Sequence, residues 1–187
     1  MSGETPECEI KAARPEEASE ALRVVRACAK RMLSMGIDQW DALYPDAATL
    51  TADALAGNLF IIRETGVRGG SGACLGLLTL DENQDPAYAN VPWEYADGKI
   101  LVVHRLSVDP AAQGRGLAKR LMAFAEDKAR KEGYEVIRLD AFTQNPAAQG
   151  LYANRGYRRA GTIRLRKGSF TCFEKRLALE RDVNKGL

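Results

Sequence analysis

The chain has one histidine, His104, among its 187 residues. A single imidazole excludes HExxH motifs and every zinc site built on two histidines, and no metal is expected. The four cysteines (Cys8, Cys28, Cys74 and Cys172) are too widely spaced for a CxxC pair. Each stands among apolar or β-type neighbours, as buried thiols in a reducing cytoplasm do. No apolar run approaches the roughly 20 residues that span a bilayer, so no membrane partner is expected. The opening Met1-Ser-Gly-Glu-Thr-Pro-Glu7 is acidic and polar, unlike a secretory signal. An excess of one charge is missing too: 27 basic against 25 acidic side chains leave +2. Nucleic-acid surfaces usually carry a basic excess, so no nucleic-acid partner is expected. These absences leave a cytoplasmic globular protein. Its length suits one domain over 1–187, with a core of about 7–177 and tails at 1–6 and 178–187. Glycine, by contrast, is plentiful at 17 residues.

Periodicity predicts the elements. Alternating Cys8, Ile10 and Ala12 give a first strand. Pro15, Glu16 and Glu17 suit a helix start, Leu22, Val25, Ala29, Met32 and Leu33 keep helical spacing, and Gly36 closes it. An aromatic and polar loop, Ile37 to Pro45, precedes a short helix over Asp46 to Ala56. Leu59 to Arg63 and Ala73 to Leu80 read as strands joined by a turn at Gly66 to Gly72, and Asp81 to Asn90 as a polar loop. Lys99 to Val108 is the strongest strand. Gly114 to Lys131 is helical, with Leu117, Leu121, Phe124 and Ala125 on one face. A strand at Val136 to Phe142, a helix at Pro146 to Asn154 and two strands around Lys167-Gly168 complete the order β-α-α-β-β-β-α-β-α-β-β.

The informative stretch is Leu106-Ser-Val-Asp-Pro-Ala-Ala-Gln-Gly-Arg-Gly-Leu-Ala118. A strand ends at Asp109-Pro110 and a helix opens beyond Gln113. Small residues at Gly114, Gly116 and Ala118 let a ligand approach the backbone closely. The first helical amides lack intrahelical partners, and the helix dipole adds positive charge, so an anion such as a pyrophosphate is suited there. Arg115 and Lys119 could add charge. The dinucleotide pattern GxGxxG fails at Lys119, and the Walker pattern fails for want of Gly-Lys-Ser/Thr.

Gln113-Gly-Arg-Gly116-Leu-Ala118 resembles the (Gln/Arg)-x-x-Gly-x-(Gly/Ala) signature of the GNAT superfamily of acyl-CoA-dependent N-acyltransferases. About 30 residues on, Asn145-Pro-Ala-Ala148-Gln-Gly-Leu151-Tyr152-Ala-Asn-Arg-Gly156-Tyr157 resembles its second half. The likeness covers roughly Lys99 to Arg176, and the first 98 residues fit in element order only. It implies an α/β (α+β) domain: a mixed, mostly antiparallel sheet of about six to seven strands, flanked by about four helices, with splayed central strands. It also implies acetyl-CoA as co-substrate. Leu106, Ser107 and Val108 would then bind the pantetheine arm, with the Leu106 amide near the developing oxyanion. Gln113, Gly114, Arg115, Gly116, Leu117, Ala118 and Lys119 would hold the pyrophosphate. Asn145 would touch the arm or order its loop. Tyr152 matches the usual proton donor to the departing thiolate; a phenol of pKa about 10 is protonated at neutral pH. The plainer reading makes Tyr152 a packed helix aromatic.

His104 is the candidate base, being the one side chain whose ordinary pKa lies near neutrality. Strand alternation puts it on the face of Leu106, and some arylalkylamine members of the superfamily carry a histidine there. A packed histidine is the alternative, and others of the superfamily use a carboxylate through water or no base; Glu94 and Asp140 are further candidates. Trp40, Tyr44, Trp93, Glu94 and Phe142 are candidates for the acceptor cleft, with Asp38 and Asp41 near enough in sequence to hold a cationic amine. The alternative for both tryptophans is core closure. The activity implied is acetyl transfer to a primary amine of a small molecule or peptide by direct attack, with no cysteine placed for an acyl-enzyme. A non-catalytic acyl-CoA sensor is the alternative. A third reading uses the basic stretch from Arg155 to Lys167 to bind nucleic acid or protein. A homodimer is compatible with the superfamily's habits.

Overall fold

The computed structural model describes residues 7–65 and 72–178; most of the expected Gly66 to Gly72 turn, and the tails except Ala178, lie outside them. Among the described residues the order of strands and helices is the one read from the sequence. It runs β1 (Cys8–Ala12), α1 (Ala18–Ser34), α2 (Ala47–Leu55), β2 (Leu59–Glu64), β3 (Cys74–Asp81), β4 (Ile100–Val108), α3 (Leu117–Lys131), β5 (Val136–Phe142), α4 (Pro146–Asn154), β6 (Arg158–Leu165) and β7 (Gly168–Arg176). The strands form one mixed, mostly antiparallel sheet in the order β1-β2-β3-β4-β5-β7-β6. Its parallel pair, β4 with β5, runs in register only over Ile100–Val102 against Val136–Arg138.

The chain divides into two compact units, one comprising 1–36, 40–79 and 105–121, the other 37–39, 80–104 and 122–187. In the first, β1, β2 and β3 are antiparallel neighbours. Ala18, Ala21, Val24, Val25 and Cys28 of α1 join Leu50 and Ala54 of α2 over Leu59, Ile61, Cys74 and Leu77. The α1 stripe meets the expected one at Val25, with Leu22 packed against the cluster, but it adds Ala21 and Cys28 and leaves Leu33 61% exposed. The small side chains face the sheet because they let the helix come close to it. Arg63 on β2 is buried, and its guanidinium donates to Glu17 (2.9 Å), Glu20 (2.7 Å) and the Gly72 carbonyl (2.8 Å), fixing the start of α1 to the sheet.

In the second unit β5, β7 and β6 are antiparallel, over a cluster of Tyr88, Val91, Val102, Phe142, Ile163, Phe170 and Cys172. The expected polar loop after β3 contains a 3-10 turn, Pro86–Asn90, that buries Tyr88. Two buried carboxylates organise the polar contacts. Glu174, fully buried, accepts from the amides of Glu94 (2.9 Å) and Tyr95 (3.2 Å) and pairs with Arg158. Glu126 on α3 meets Arg155 (3.0 Å) and Lys175 (3.2 Å). Two further expectations shift. The α3 helix begins at Leu117 rather than Gly114, because Gly114 and Gly116 take φ of 81° and 75°. Its buried residues include Leu117, Leu121, Met122, Ala125 and Ala129, while Phe124 is half-buried.

One glycine of β3 sets how near β4 can lie. A Cβ on Gly76 would sit 2.7 Å from the Ser107 carbonyl and 3.3 Å from Leu121 Cδ1. Gly76→Ala is expected to cost about 1–3 kcal/mol, since backbone must move to admit the methyl; denaturant unfolding measures it.

Candidate functional site

Strand β4 is irregular at its centre. Arg105 has φ of 56°, the left-handed region that a residue with a Cβ avoids. Neighbours hold it there. Its guanidinium lies 2.8 Å from Asp53 and 5.5 Å over the Tyr44 ring, and its carbonyl accepts from Ser107 Oγ (3.0 Å). Asp53 in turn accepts from Thr79 Oγ1 (2.9 Å). The Arg105–Asp53 contact is an ion pair without hydrogen-bond alignment: Nε and Nη1 of Arg105 are buried donors with no acceptor among the described residues. This kink also breaks the period-two alternation that related His104 to Leu106.

Beyond the kink the first unit carries the glycine loop. The Val108 carbonyl, last of the strand, accepts from Gln113 Nε2 (3.2 Å) and Cys28 Sγ (3.1 Å). Gln113 thus closes its own loop. Asp109 donates its amide to the Leu75 carbonyl (2.8 Å), and its carboxylate accepts from Arg23 (2.7 Å) and the Ala111 amide (3.0 Å). The Arg23 hydrogen bond holds the Asp109 carboxyl below the ordinary range. Gly114 and Gly116 are exposed, and a Cβ on either would meet nothing within 4 Å. The earliest α3 bond in this turn is Arg120 N to the Gly116 carbonyl (3.1 Å), so the amides ahead of it precede the helical ladder. Leu117 is buried, Ala118 half-buried and Lys119 exposed. Arg115 donates to Glu64 (2.7 Å). Beside the loop lies a cavity of about 550 Å³, with Glu20, Arg23, Arg63, Cys74, Asp109 and Arg115 in its walls. Leu106 is half-buried, Ser107 and Val108 buried.

The second unit holds His104, Asp140, Asn145 and Tyr152. Asn145 caps α4: its Oδ1 accepts from the Ala148 amide (3.1 Å) and its Nδ2 donates to Gln39 (3.0 Å). Tyr152 is 5% exposed, against Phe173 (centroids 5.6 Å) and Tyr157 (6.0 Å). Burial and the Asp140 charge push its phenol well above its usual pKa, so at neutral pH it is a proton donor. Burial also raises the Asp140 carboxyl, which accepts from Tyr88 Oη (2.8 Å). His104 is half-buried, with Nε2 3.1 Å from both Asp81 Oδ1 and the Asn83 carbonyl. Sequence reasoning missed Asp81, Tyr88 and Arg105. An aromatic inside a polar stretch was the available signal for Tyr88; the φ of Arg105 left none.

The acceptor candidates are spread out. Trp40 packs on the α1–α2 core and Tyr44 lies under Arg105. Trp93 donates its indole N–H to the Tyr88 carbonyl (2.9 Å) beneath the Arg138 guanidinium (4.2 Å). Phe142 packs on Phe170 (5.2 Å). The carboxylates are engaged: Glu94 with Arg158 (3.0 Å), Asp38 with Lys167 (2.7 Å), and Asp41 with the Leu43 amide (3.0 Å). Burial raises the Cys28 and Cys74 thiols to about 11 and the Cys172 thiol to about 12. None of these three is a ready nucleophile. Among the described residues no three His, Cys, Asp or Glu side chains gather as a metal site, and no helix is long and apolar enough to cross a membrane.

The profile of the acetyltransferase (GNAT) family matches residues 26–157, and the chain belongs to that family. It is 41% identical over 73 residues to the N-alpha-acetyltransferase RimI of Mycobacterium tuberculosis, a stretch covering 39% of this chain and 40% of that protein. Matches to curated relatives span 28% to 56% of those proteins' lengths. Among solved structures, a GNAT-family acetyltransferase from Streptococcus agalactiae superposes with a TM-score of 0.78 at 20% identity, over 91% of this chain and 96% of that one. The PaiA N-acetyltransferase of Thermoplasma acidophilum, in complex with coenzyme A, gives 0.68 at 17% identity, over 91% and 99%. These two likenesses establish the fold.

The loop's anchor is testable through pH. A carboxylate whose folded pKa lies below its unfolded value of about 3.9 stabilises the fold above that value and ceases to as pH falls through the lower one. Arg23→Ala is expected to lower the melting temperature at pH 7 and to flatten its decline below pH about 4, in thermal scans from pH 7 to 2.

Proposed function

We propose that the chain is an N-acetyltransferase that moves an acetyl group from acetyl-CoA to a primary amine of a small molecule or peptide by direct attack in a ternary complex. The observation that carries this reading is the Gln113–Ala118 loop, where two exposed left-handed glycines stand before a helix of 15 residues. With no Cβ in the way, a pyrophosphate can lie against the amides from Gly114 to Lys119, at the positive end of the helix dipole. A ligand held by backbone amides requires little excess basic charge, in keeping with the net +2.

In this reading Leu106 and Val108 offer backbone groups to the pantetheine arm, and the Leu106 amide donates to the oxyanion as it develops. The amine lone pair attacks the thioester carbonyl, a C–N bond forms, and the C–S bond breaks. Tyr152 gives its phenolic proton to the leaving thiolate. The proton lost by the amine goes to His104, with Asp140 the competing acceptor: it is buried, and its raised pKa brings it nearer to neutrality. The α1–α2 loop carrying Trp40 and Tyr44, and the segment carrying Trp93 and Glu94, are the stretches from which an acceptor cleft would be drawn.

A free-thiol release assay with acetyl-CoA across amines, amino acids, polyamines and peptides tests the activity. Thiol release with at least one acceptor is expected; none, alongside measurable acetyl-CoA binding, would support a sensor instead. With that acceptor, Tyr152→Phe is expected to lower kcat by about 10²-fold or more while leaving acetyl-CoA affinity nearly unchanged. Equal turnover would remove Tyr152 from the acid role. His104→Ala is expected to abolish or displace the acidic limb of the pH–rate profile, and an unchanged limb would assign the base elsewhere.

A further inference from the structure

We propose that Asp81, together with the Asn83 carbonyl, is a positioning residue that fixes the His104 ring with its hydrogen on Nε2 and makes Nδ1 the atom that takes the amine proton. The proposal rests on His104 being the base in the acetyl-transfer reading.

The geometry carries it. Nε2 of His104 lies 3.1 Å from Asp81 Oδ1 and 3.1 Å from the Asn83 carbonyl. A carboxylate and a carbonyl can only accept, so Nε2 must be the donor to both, and in a neutral imidazole the lone pair then resides on Nδ1. The acceptors are themselves fixed. Asp81 ends β3, and its Oδ1 also accepts from the Asn83 amide (2.8 Å), so one tight turn sets both the carboxylate and the carbonyl. The Asp81 side chain is only 10% exposed. Burial alone would raise its carboxyl; hydrogen bonding and charge from His104, with the Asn83 amide, hold it below the ordinary range, so it is ionised at neutral pH.

The chemistry follows from that polarity. When Nδ1 takes the proton the ring becomes a cation, and Nε2–H to Asp81 becomes a charge-assisted bond on both sides. The carboxylate stabilises the new charge without accepting the proton, and Nδ1 later returns it to solvent. Other ionisable groups also bear on the pair. Asp140 of β5 feels the charge of His104 and of Asp85 and accepts from Tyr88. Tyr134 feels Asp81 and donates to Glu82 (2.7 Å), which Lys99 approaches (3.7 Å). Asp81 is the carboxylate in direct contact with the ring, so its replacement should dominate.

Because the chain has one histidine, a ¹⁵N spectrum of the imidazole reports His104 alone, whatever the enzyme's activity. In the unmodified protein above the ring's titration, hydrogen is expected on Nε2 and the unprotonated signal on Nδ1. In Asp81→Ala the single Nε2–H signal is expected to give way to a mixture of both ring tautomers, and the acidic limb of kcat/KM to change with it. The plateau kcat is expected to fall about 10- to 100-fold, less than the whole ~10²–10⁴ that a general base contributes, with KM changed less than about twofold. A Nδ1–H ring in the unmodified protein, or a tautomer unmoved by Asp81→Ala, overturns the proposal without bearing on acetyl transfer. A ring that responds while the acidic limb stays in place overturns the Nδ1 assignment and His104 as base together. Absence of thiol release with every acceptor removes the underlying acetyl-transfer reading, and the catalytic part of the proposal with it.

Discussion

The left-handed backbone at Arg105 is the constraint on which the rest depends. A non-glycine residue at φ of 56° costs of order 1 kcal/mol or more, and it persists because its surroundings over-determine it. Asp53 draws the guanidinium toward α2, the Tyr44 ring covers it, and Ser107 Oγ holds the carbonyl. Two buried nitrogens of this side chain, Nε and Nη1, have no hydrogen-bond acceptor among the described residues, where Arg63 and Arg138 each leave one, Nε. Strain and unsatisfied donors together mark a place where local stability has been given up. What the kink accomplishes is to end regular strand geometry just before Leu106, the residue whose amide the proposed mechanism needs.

From that kink the chain is guided tightly to the glycine loop. The Val108 carbonyl would otherwise be a strand-end acceptor with no ladder, and it receives two side-chain donors, Gln113 and Cys28. Gln113 accordingly defines loop shape through its amide. Asp109 adds a second anchor through Arg23 and Ala111. Just beyond these anchors Gly114 and Gly116 turn the backbone at φ values that residues with a Cβ rarely adopt, with open space where a Cβ would stand. A rigid concave run of amides is what a tetrahedral anion binds with least ordering cost.

The element order and the glycine loop were legible in the sequence because both are local. Apolar periodicity reports strands and helices, and a strand-loop-helix with glycines at 114 and 116 reports an exposed backbone. What escaped was set by contacts between distant segments. In α1 the expected Leu22 and Val25 do meet the core, but close packing on the sheet adds Ala18, Ala21 and Cys28 and leaves Leu33 outside. Gly76 looked like any strand glycine until the Ser107 carbonyl was found 2.7 Å from where its Cβ would be. Asp81 and His104 are 23 residues apart, and no spacing rule joins the end of one strand to the middle of another. Asp140 is one of two further base candidates in the sequence, but its burial and the Tyr88 hydroxyl are visible only in three dimensions.

The arginines near the glycine loop bear on how an anion would be held. By count they suggest a cationic phosphate clamp, yet each has a carboxylate partner: Arg23 with Asp109, Arg63 with Glu17 and Glu20, Arg115 with Glu64. A phosphate competing for any of them must displace a bond already made, which offsets most of the Coulombic gain at a solvated surface. The backbone amides of Gly114, Arg115, Gly116, Leu117 and Ala118 lie ahead of the Arg120–Gly116 bond of the helical ladder. Charge on these arginines therefore shapes the loop, through Asp109 and Glu64, more than it would hold an anion. An anion held chiefly by oriented dipoles releases few counterions, so its affinity should depend on salt far less than three free arginines would dictate.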